Sequence, residues 1–543
     1  MRLSLAAFAF AGLFTAISTP AWAKSSVAAP ASKGPKAAGR PAMKAAAVQD
    51  PESGAVALDK APAKLSDKPT AKDPESGTNF YFPREALVGW ALRDVSAPGD
   101  ALLESHAADL NLTPGSTQKL FTTWIALELL GGDRTYVTEL LRSGTIEGGG
   151  LKGDLLIRGG GDPAFGSQQA GPENGADVIF AQWLQALKNA GITRIEGCVV
   201  GDGSFLTEEG PHPAGLWEDA GNYYAGTVSG LAFNDNLYQA RFSGASAPGK
   251  TVAFQGTAPS HSGIARFDNR LITGPADGHD SAFIIGGFPS GQRALRGTYP
   301  AGRMPFSIKG SLPNPAWTCA REFRDYLAAK GLAFSGNGSG NGSACGDSLS
   351  LPNHAAVIGA EAVPGARHVS PPLSEIIRLV NQKSDNNYAA QVLALLGKGT
   401  GRSGDWRGGL EAVDAWLDTH GFDRKRIHLK DGNGLSRYNW IAPSQTSLLL
   451  AYAYRHKKFP EFQASLIGSP GAANKLDRYG SGWEGKLYAK TGTLEGVSAL
   501  AGYLKCASGR WIAFAVTANN FEAQNGDAQK YFAPLLRKWA AKY

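Results

Sequence analysis

Two stretches of helical periodicity flank residues 133–362, whose texture is different, and this break constrains the fold of the 543-residue chain more than any other feature. From Thr113 the chain reads Thr-Pro-Gly-Ser-Thr-Gln-Lys-Leu-Phe. Pro114 and Gly115 punctuate it, and Leu120, Trp124, Ile125, Leu127 and Leu130 then recur at helical spacing. Gly131-Gly132 closes the run, as glycines close helices. Residues 133–362 instead alternate short β-like runs, such as Leu155-Leu156-Ile157 and Val199-Val200, with Gly-rich turns. Two helices are expected inside this stretch, near 176–190 and 320–330. Helical patterns return at 373–381, 388–396, 408–420 and 444–456. Strands are expected at 486–491, 497–505 and 511–518, and a last helix at 528–542. The fold class that follows is α/β (α+β): an antiparallel sheet flanked by helices, in a domain of residues 78–132 and 363–543. Residues 133–362 are an α+β insertion with room for two subdomains.

The amino-terminal part reads differently again. Arg2, the apolar stretch 3–17 and Ala21-Trp22-Ala23 have the layout of a secretory leader cut after Ala23. The apolar run is shorter than the ~20 residues a membrane span needs. The mature chain is therefore expected outside the cytoplasmic membrane, in the periplasm, with no stable span. Residues 24–77 lack the aromatic and branched apolar residues that offset ordering entropy, and read as a linker. Residues 24–72 carry nine Lys or Arg against four Asp or Glu, a basic stretch suited to weak contact with anionic wall polymer or membrane surface. No basic stripe is interleaved with aromatics, which argues against nucleic acid as a partner.

Three short motifs carry chemistry. Ser116 and Lys119 stand three apart at a helix start, so their side chains share a face. A serine hydroxyl needs a base, and a lysine of lowered pKa can be one. Ser384-Asp385-Asn386, preceded by Lys383, falls between two expected helices. There Ser384 can relay a proton and Asn386 can hold a carbonyl, while capping of the next helix is an equally available role. Lys490-Thr491-Gly492 is expected at a strand end before a turn, where Lys490 and Thr491 suit a carboxylate and Gly492 permits close approach. Each motif alone is common. In the order S-x-x-K, S-x-N, K-T-G they form the set of serine β-lactamases and penicillin-binding proteins. The nine histidines show no metal spacing and the four cysteines form no C-x-x-C, so no metal or cofactor is implied.

With these motifs in view, the chain resembles the class C low-molecular-mass penicillin-binding proteins, the D-Ala-D-Ala carboxypeptidase/endopeptidases. The likeness extends to Gly153-Asp154-Leu155, Gly161-Asp162-Pro163, the stretch 431–439 (Asp-Gly-Asn-Gly-Leu-Ser-Arg-Tyr-Asn) and 490–497 (Lys-Thr-Gly-Thr-Leu-Glu-Gly-Val). The 268-residue interval from Ser116 to Ser384 suits a family whose catalytic domain is split by a large insertion. The resemblance implies a transpeptidase/β-lactamase-like catalytic domain acting on peptidoglycan stem peptides and acylated by β-lactams. By motif, Ser116 is the nucleophile, Lys119 the base and Ser384 the relay, assisted by Lys383 or Lys490. Asn386 orients the acyl chain, Lys490 and Thr491 bind the terminal carboxylate, and the amides of Ser116 and Thr493 form an oxyanion hole. Arg437 is a candidate clamp for a substrate carboxylate or a surface ion pair. Asp235 is a candidate contact from the insertion or a turn residue. Glu495 replaces the uncharged residue frequent at that place.

A β-lactamase is the nearest rival reading and would turn over nitrocefin. A non-catalytic penicillin sensor or wall-binding protein would release no D-Ala. Four cysteines allow three complete disulfide pairings, of which Cys319–Cys345 closes the shortest loop; four free thiols are the alternative.

Overall fold

The computed structural model describes residues 82–207, 210, 212–243, 247–264, 266–286, 291–303, 305–335, 359–469, 475–522 and 528–543. The expected leader, the linker and Cys345 lie outside these residues. A five-stranded antiparallel sheet forms the centre, in the order Leu102–His106, Leu87–Asp94, Trp511–Asn519, Val497–Lys505, Leu487–Leu494. Alternation along the strands sends side chains to two cores. Ala501, Tyr503, Ala513 and Ala515 face one cluster of buried residues. Leu500, Leu504, Ile512, Phe514 and Val516 face the other.

The first core is helical. Its centre is α1 (Lys119–Leu130), buried from Lys119 to Leu127. The sequence suggests a one-sided stripe, but a helix enclosed by neighbours needs no polar face. Those neighbours include α4 (Leu373–Lys383), α5 (Asn386–Gly399), α6 (Trp406–Thr419), α7 (Pro443–Arg455) and the short α8 (Phe459–Ser465). Trp124 lies edge-on against Tyr452 and Phe462. Truncating such a fully buried tryptophan to alanine costs about 3–5 kcal/mol. On the other face, α9 (Ala533–Lys542) sets Trp539 against Trp90 and Phe514.

Residues 137–369 build separate cores. One four-stranded sheet runs Glu361–Val369, Val137–Arg142, Leu155–Arg158, Val199–Asp202. Beside it pack α2 (Ala176–Asn189) and α3 (Pro315–Ala329), which share Trp183, Phe180 and Phe323. A smaller core gathers Tyr238, Phe242, Leu295 and Phe306. The helix α3 begins five residues before the expected 320 because Asn314 caps it, accepting from the Trp317 amide, and Pro315 suits the first helical position. Cys319 is free and fully buried on that helix, Cys506 is free and buried, and Cys198 is disulfide-bonded. The Cys319–Cys345 pairing and the four-free-thiol alternative are therefore both wrong. Nearness in sequence says little about a cysteine whose helix turns it into a packed core.

The strand 487–494 also differs from expectation. It continues through Gly492 and Thr493 to Leu494, pairing residue by residue with 497–504. The turn comes only at Glu495-Gly496, where Gly496 has φ 68°. Lys490-Thr491-Gly492 thus lies within the strand and not at its end.

Candidate active site

A tight turn delivers the first motif. Gly115–Gln118 is a single 3-10 turn that runs into α1, and Gly115 has φ 52°. Thr117 fastens the turn by donating its hydroxyl to the Pro114 carbonyl at 2.7 Å. Two glycines press against it. A Cβ on Gly492 would stand 2.4 Å from the Pro114 carbonyl oxygen and 3.1 Å from the Ser116 amide nitrogen. A Cβ on Gly434 would stand 2.0 Å from the Gly115 carbonyl oxygen. The turn is held between two backbones that only glycine lets approach so closely.

Lys119 Nζ makes three short contacts: Ser116 Oγ at 2.7 Å, Asn386 Oδ1 at 2.6 Å and the Asn433 carbonyl at 2.6 Å. Lys119 is fully buried. Burial lowers its pKa to about 7, against the opposing charges of Asp431 and Asp385. A neutral amine has two N–H donors and one lone pair. Both amide oxygens can only accept, so they take the two N–H groups. The lone pair then faces the serine hydroxyl, the one partner that can donate. This is the arrangement of a base and its nucleophile.

A second lysine–serine pair lies alongside. Ser384 caps the end of α4 in the left-handed conformation, φ 59° and ψ 36°. Its hydroxyl accepts from Lys490 Nζ at 2.8 Å, and Lys490 also donates to the Thr491 carbonyl at 2.9 Å. Asp385 caps α5 by accepting from the Tyr388 amide, so the motif combines capping with presentation of Ser384 and Asn386. Burial raises the Asp385 pKa, aided by the charge of Asp235.

The pairs open on a cleft of about 650 Å³ lined by Ser116, Ser384, Asn386, Thr493, Glu495 and Arg437, among others. Lys383 lines it too, with its ammonium near the carbonyl (3.4 Å) and side-chain oxygen (3.3 Å) of Gln169. Lys490, and not Lys383, touches Ser384. Thr491 is half-buried in its strand. The Thr493 amide nitrogen lies 3.1 Å from where a Gly115 Cβ would be, beside the turn that carries Ser116. Arg437 donates to the Glu495 carbonyl at 2.5 Å, tying the 431–439 loop to the strand turn. Asp235, with φ 58°, accepts from Tyr388 Oη at 2.8 Å and Gln169 Nε2 at 2.8 Å. It braces the start of α5 and is also a turn residue.

Sequence reasoning left several site residues without a role. Asp431 is the hub of the 431–439 loop. It accepts from the amides of Gly434 (2.8 Å) and Ser436 (2.7 Å) and from the side chains of Asn439 (3.1 Å) and Gln118 (3.0 Å). An aspartate opening Asp-Gly-Asn-Gly is the local signal for such a turn. Asn433 holds Lys119 through a backbone carbonyl, which no side-chain motif reveals. Leu216, Glu218, Asp219, Tyr223, Tyr224 and Lys309, all from the 133–362 stretch, line the cleft as well. No local signal marks them.

The pattern of the D-Ala-D-Ala carboxypeptidase 3 (S13) family matches residues 83–542. The chain is similar to a D-alanyl-D-alanine carboxypeptidase of Actinomadura sp. (strain R39): 28% identical over 447 residues, 78% of this chain and 76% of the relative. It is 23% identical over 475 residues to the D-alanyl-D-alanine carboxypeptidase DacB of Haemophilus influenzae, covering 84% of this chain and 90% of that one. The crystal structure of penicillin binding protein 4 (dacB) from Haemophilus influenzae has the same fold. Its TM-score is 0.69 at 21% identity, over 85% of this chain and 98% of that chain.

Proposed function

The chain belongs to the D-Ala-D-Ala carboxypeptidase 3 (S13) family of serine-type peptidases, and from that premise we propose that Ser116 is the nucleophile that cuts peptidoglycan stem peptides at their D-Ala-D-Ala end. The observation that carries this reading is the three-way contact of Lys119 Nζ with Ser116, Asn386 and the Asn433 carbonyl.

The steps follow from the geometry. Ser116 Oγ attacks the carbonyl of the penultimate D-Ala while Lys119 takes the hydroxyl proton. The developing oxyanion is met by the backbone amides of Ser116 and Thr493. The C–N bond then breaks, and the leaving amine takes a proton passed through Ser384, which Lys490 resupplies. Asn386 orients the acyl chain. Lys490 and Thr491 hold the terminal carboxylate, and the peptide lies extended along the Leu487–Leu494 edge. Once Lys119 has released to solvent the proton it took, and Lys490 has regained one, the neutral Lys119 amine deprotonates the attacking water and passes that proton to Ser116 Oγ as the acyl bond breaks. A β-lactam enters by the same attack, and its opened ring stays tethered as the acyl group, which makes β-lactams inhibitors. The relative from Haemophilus influenzae has been solved as a complex with a β-lactam.

In this reading residues 78–132 and 363–543 are the catalytic domain, with 133–362 inserted, and the strand Glu361–Val369, paired with Val137–Arg142, carries the insertion's sheet seven residues past that boundary. The separate cores of residues 137–369 support that division. Export to the periplasm, with cleavage after Ala23, fits a wall peptidase and the leader-like first 23 residues. Among the described residues no helix is long and apolar enough to cross a membrane. Incubation with purified muropeptides, read by mass spectrometry, tests the activity: loss of one terminal D-Ala is expected, and unchanged muropeptides would overturn it. N-terminal sequencing of the exported chain should find Lys24 first; an intact Met1 would overturn cleavage.

A further inference from the structure

We infer that Asp431 is a positioning residue for acylation: its carboxylate curls the segment 431–436 so that the Asn433 carbonyl holds the Lys119 amine with its lone pair towards Ser116. The inference rests on the peptidase reading above.

Three successive backbone carbonyls of this segment accept from side chains at the start of α1. Gln118 donates to the Asp431 carbonyl, Thr122 to that of Gly432 at 2.7 Å, and Lys119 to that of Asn433 at 2.6 Å. The segment is pressed from behind as well. A Cβ on Gly432 would stand 2.7 Å from the Leu393 Cβ and 3.0 Å from the Ala389 carbonyl oxygen, so the chain runs in the seam between α1 and α5. The curl that lets all three carbonyls face α1 is closed by the buried Asp431 side chain. Its Oδ1 accepts from the amides of Asn433 (3.2 Å) and Gly434 (2.8 Å) and from the side chains of Gln118 (3.0 Å) and Asn439 (3.1 Å). Its Oδ2 accepts from the Ser436 amide at 2.7 Å.

An aspartate that fastens its own turn is ordinary. This turn, however, carries one of the two oxygens that orient the base. The amine of Lys119 must give one N–H to Asn386 Oδ1 and the other to the Asn433 carbonyl if its lone pair is to face Ser116 Oγ. Asn386 opens α5 and is placed by that helix. The Asn433 carbonyl is placed by the Asp431 carboxylate and the contacts with α1. The carboxylate also acts through its charge. Burial lowers the pKa of Lys119, and Asp431 and then Asp385 oppose the lowering. The neighbouring cation, Lys490, is bound to Ser384. Without the charge at 431, Lys119 turns neutral at lower pH and is a weaker base. A base acts only after the ligand has bound, so its misplacement falls on the acylation rate constant k2 and leaves the penicillin dissociation constant Kd alone.

Stopped-flow acylation by penicillin across pH, with D-Ala release from muropeptides measured alongside, tests this on wild type, Asp431→Asn and Thr122→Val. Asparagine has one acceptor oxygen for two sides of the turn and points an N–H at the Ser436 amide. Asp431→Asn should lower the k2 plateau by about 10- to 100-fold, the effect of a misplaced catalytic group, with Kd within about twofold of wild type. The midpoint of its k2–pH curve should move below the wild-type value of about 7, and D-Ala release should fall in proportion. Thr122→Val keeps the charge and removes one fastening, so its k2 should fall by about three- to tenfold with the midpoint unmoved. Wild-type k2 and midpoint in Asp431→Asn overturn the inference. A lowered k2 with an unmoved midpoint, or a loss carried by Kd, also overturns it, because general loosening of the fold would produce either. If Asp431→Asn does not fold, Thr122→Val decides, and a wild-type k2 there overturns the inference. In all these cases the peptidase reading stands on the wild type's own release of D-Ala. A wild type that penicillin does not acylate and that releases no D-Ala overturns the peptidase reading itself, and the inference falls with it.

Discussion

Lys490 donates to the hydroxyl of Ser384 at 2.8 Å, joining a strand residue to a helix cap 106 positions earlier in the chain. Beside it Lys119 holds Ser116 at 2.7 Å. The site is thus two lysine–serine pairs, and each suits one proton transfer of acyl chemistry, the first into the attack and the second out to the leaving group.

Fluorescent penicillin is expected to label Ser116 and no other residue. Ser116→Ala should abolish covalent labelling on a denaturing gel. Lys119→Ala should slow it by about 10²–10⁴-fold, the usual worth of a general base. Labelling of Ser116→Ala at the wild-type rate would show that another residue is the nucleophile.

The pH dependence of acylation should report Lys119. Its burial lowers the pKa to about 7, and only the deprotonated amine can take the serine proton. The acylation rate should therefore rise with pH through about 7 and level off above it. A rate still climbing towards 10.5, the ordinary lysine value, would mean that the amine is not desolvated in solution.

Gly492→Ala should damage activity more than stability. The added methyl would stand 2.4 Å from the Pro114 carbonyl oxygen and must displace the turn that carries Ser116. Small misplacement of a nucleophile costs about 10²-fold in rate. Stopped-flow acylation and thermal unfolding of the same preparation separate the two effects; an acylation rate equal to wild type would show that the turn yields freely.

Asp162 and His368 make a prediction away from the cleft. Their facing atoms, Asp162 Oδ2 and His368 Nε2, are 3.6 Å apart and buried. Burial raises the Asp162 pKa to about 7 and lowers that of His368, so at neutral pH the imidazole is uncharged and the carboxyl is partly protonated. Folding therefore takes up a proton at Asp162 between its ordinary 3.8 and about 7, and this group's contribution to stability falls as pH rises through that window. Asp162→Asn cannot titrate. Its denaturation midpoint should fall less between pH 5 and pH 8 than that of wild type. An unchanged difference between the two pH values would remove Asp162 as the cause.

Much of this architecture is legible in the sequence where local chemistry dictates it. Pro114-Gly115 announces the turn before α1, Asp385 caps α5, and Gly496 turns the hairpin. Other features have no local cause. The strand Leu87–Asp94 is buried on both faces, so its apolar run shows no alternation to read. The Lys490-Thr491-Gly492 motif lies within its strand because pairing to 497–504 continues past the glycine that reads as a turn. Lys309 reaches the cleft only through the strand Phe306–Ser311, whose Gly310 bridges to Asn222. The Asn433 contact with Lys119 comes from a backbone carbonyl, and such groups are the same at every residue.

The central sheet also sets when the enzyme can exist. Its middle strand, Trp511–Asn519, joins Leu87–Asp94 to the rest of the sheet. Asn519 at its end accepts from the Thr113 amide at 2.7 Å, 406 positions earlier, just ahead of the turn that carries Ser116. Ribosomes make chains from the amino end, so Ser116 emerges long before the residues that steady its backbone. Contacts this distant close late and slowly. A nascent or truncated chain carries the serine but not the support that aims it. The aim of Ser116 is therefore a certificate that synthesis has passed Asn519, issued only after the strand Trp511–Asn519 has folded into the sheet.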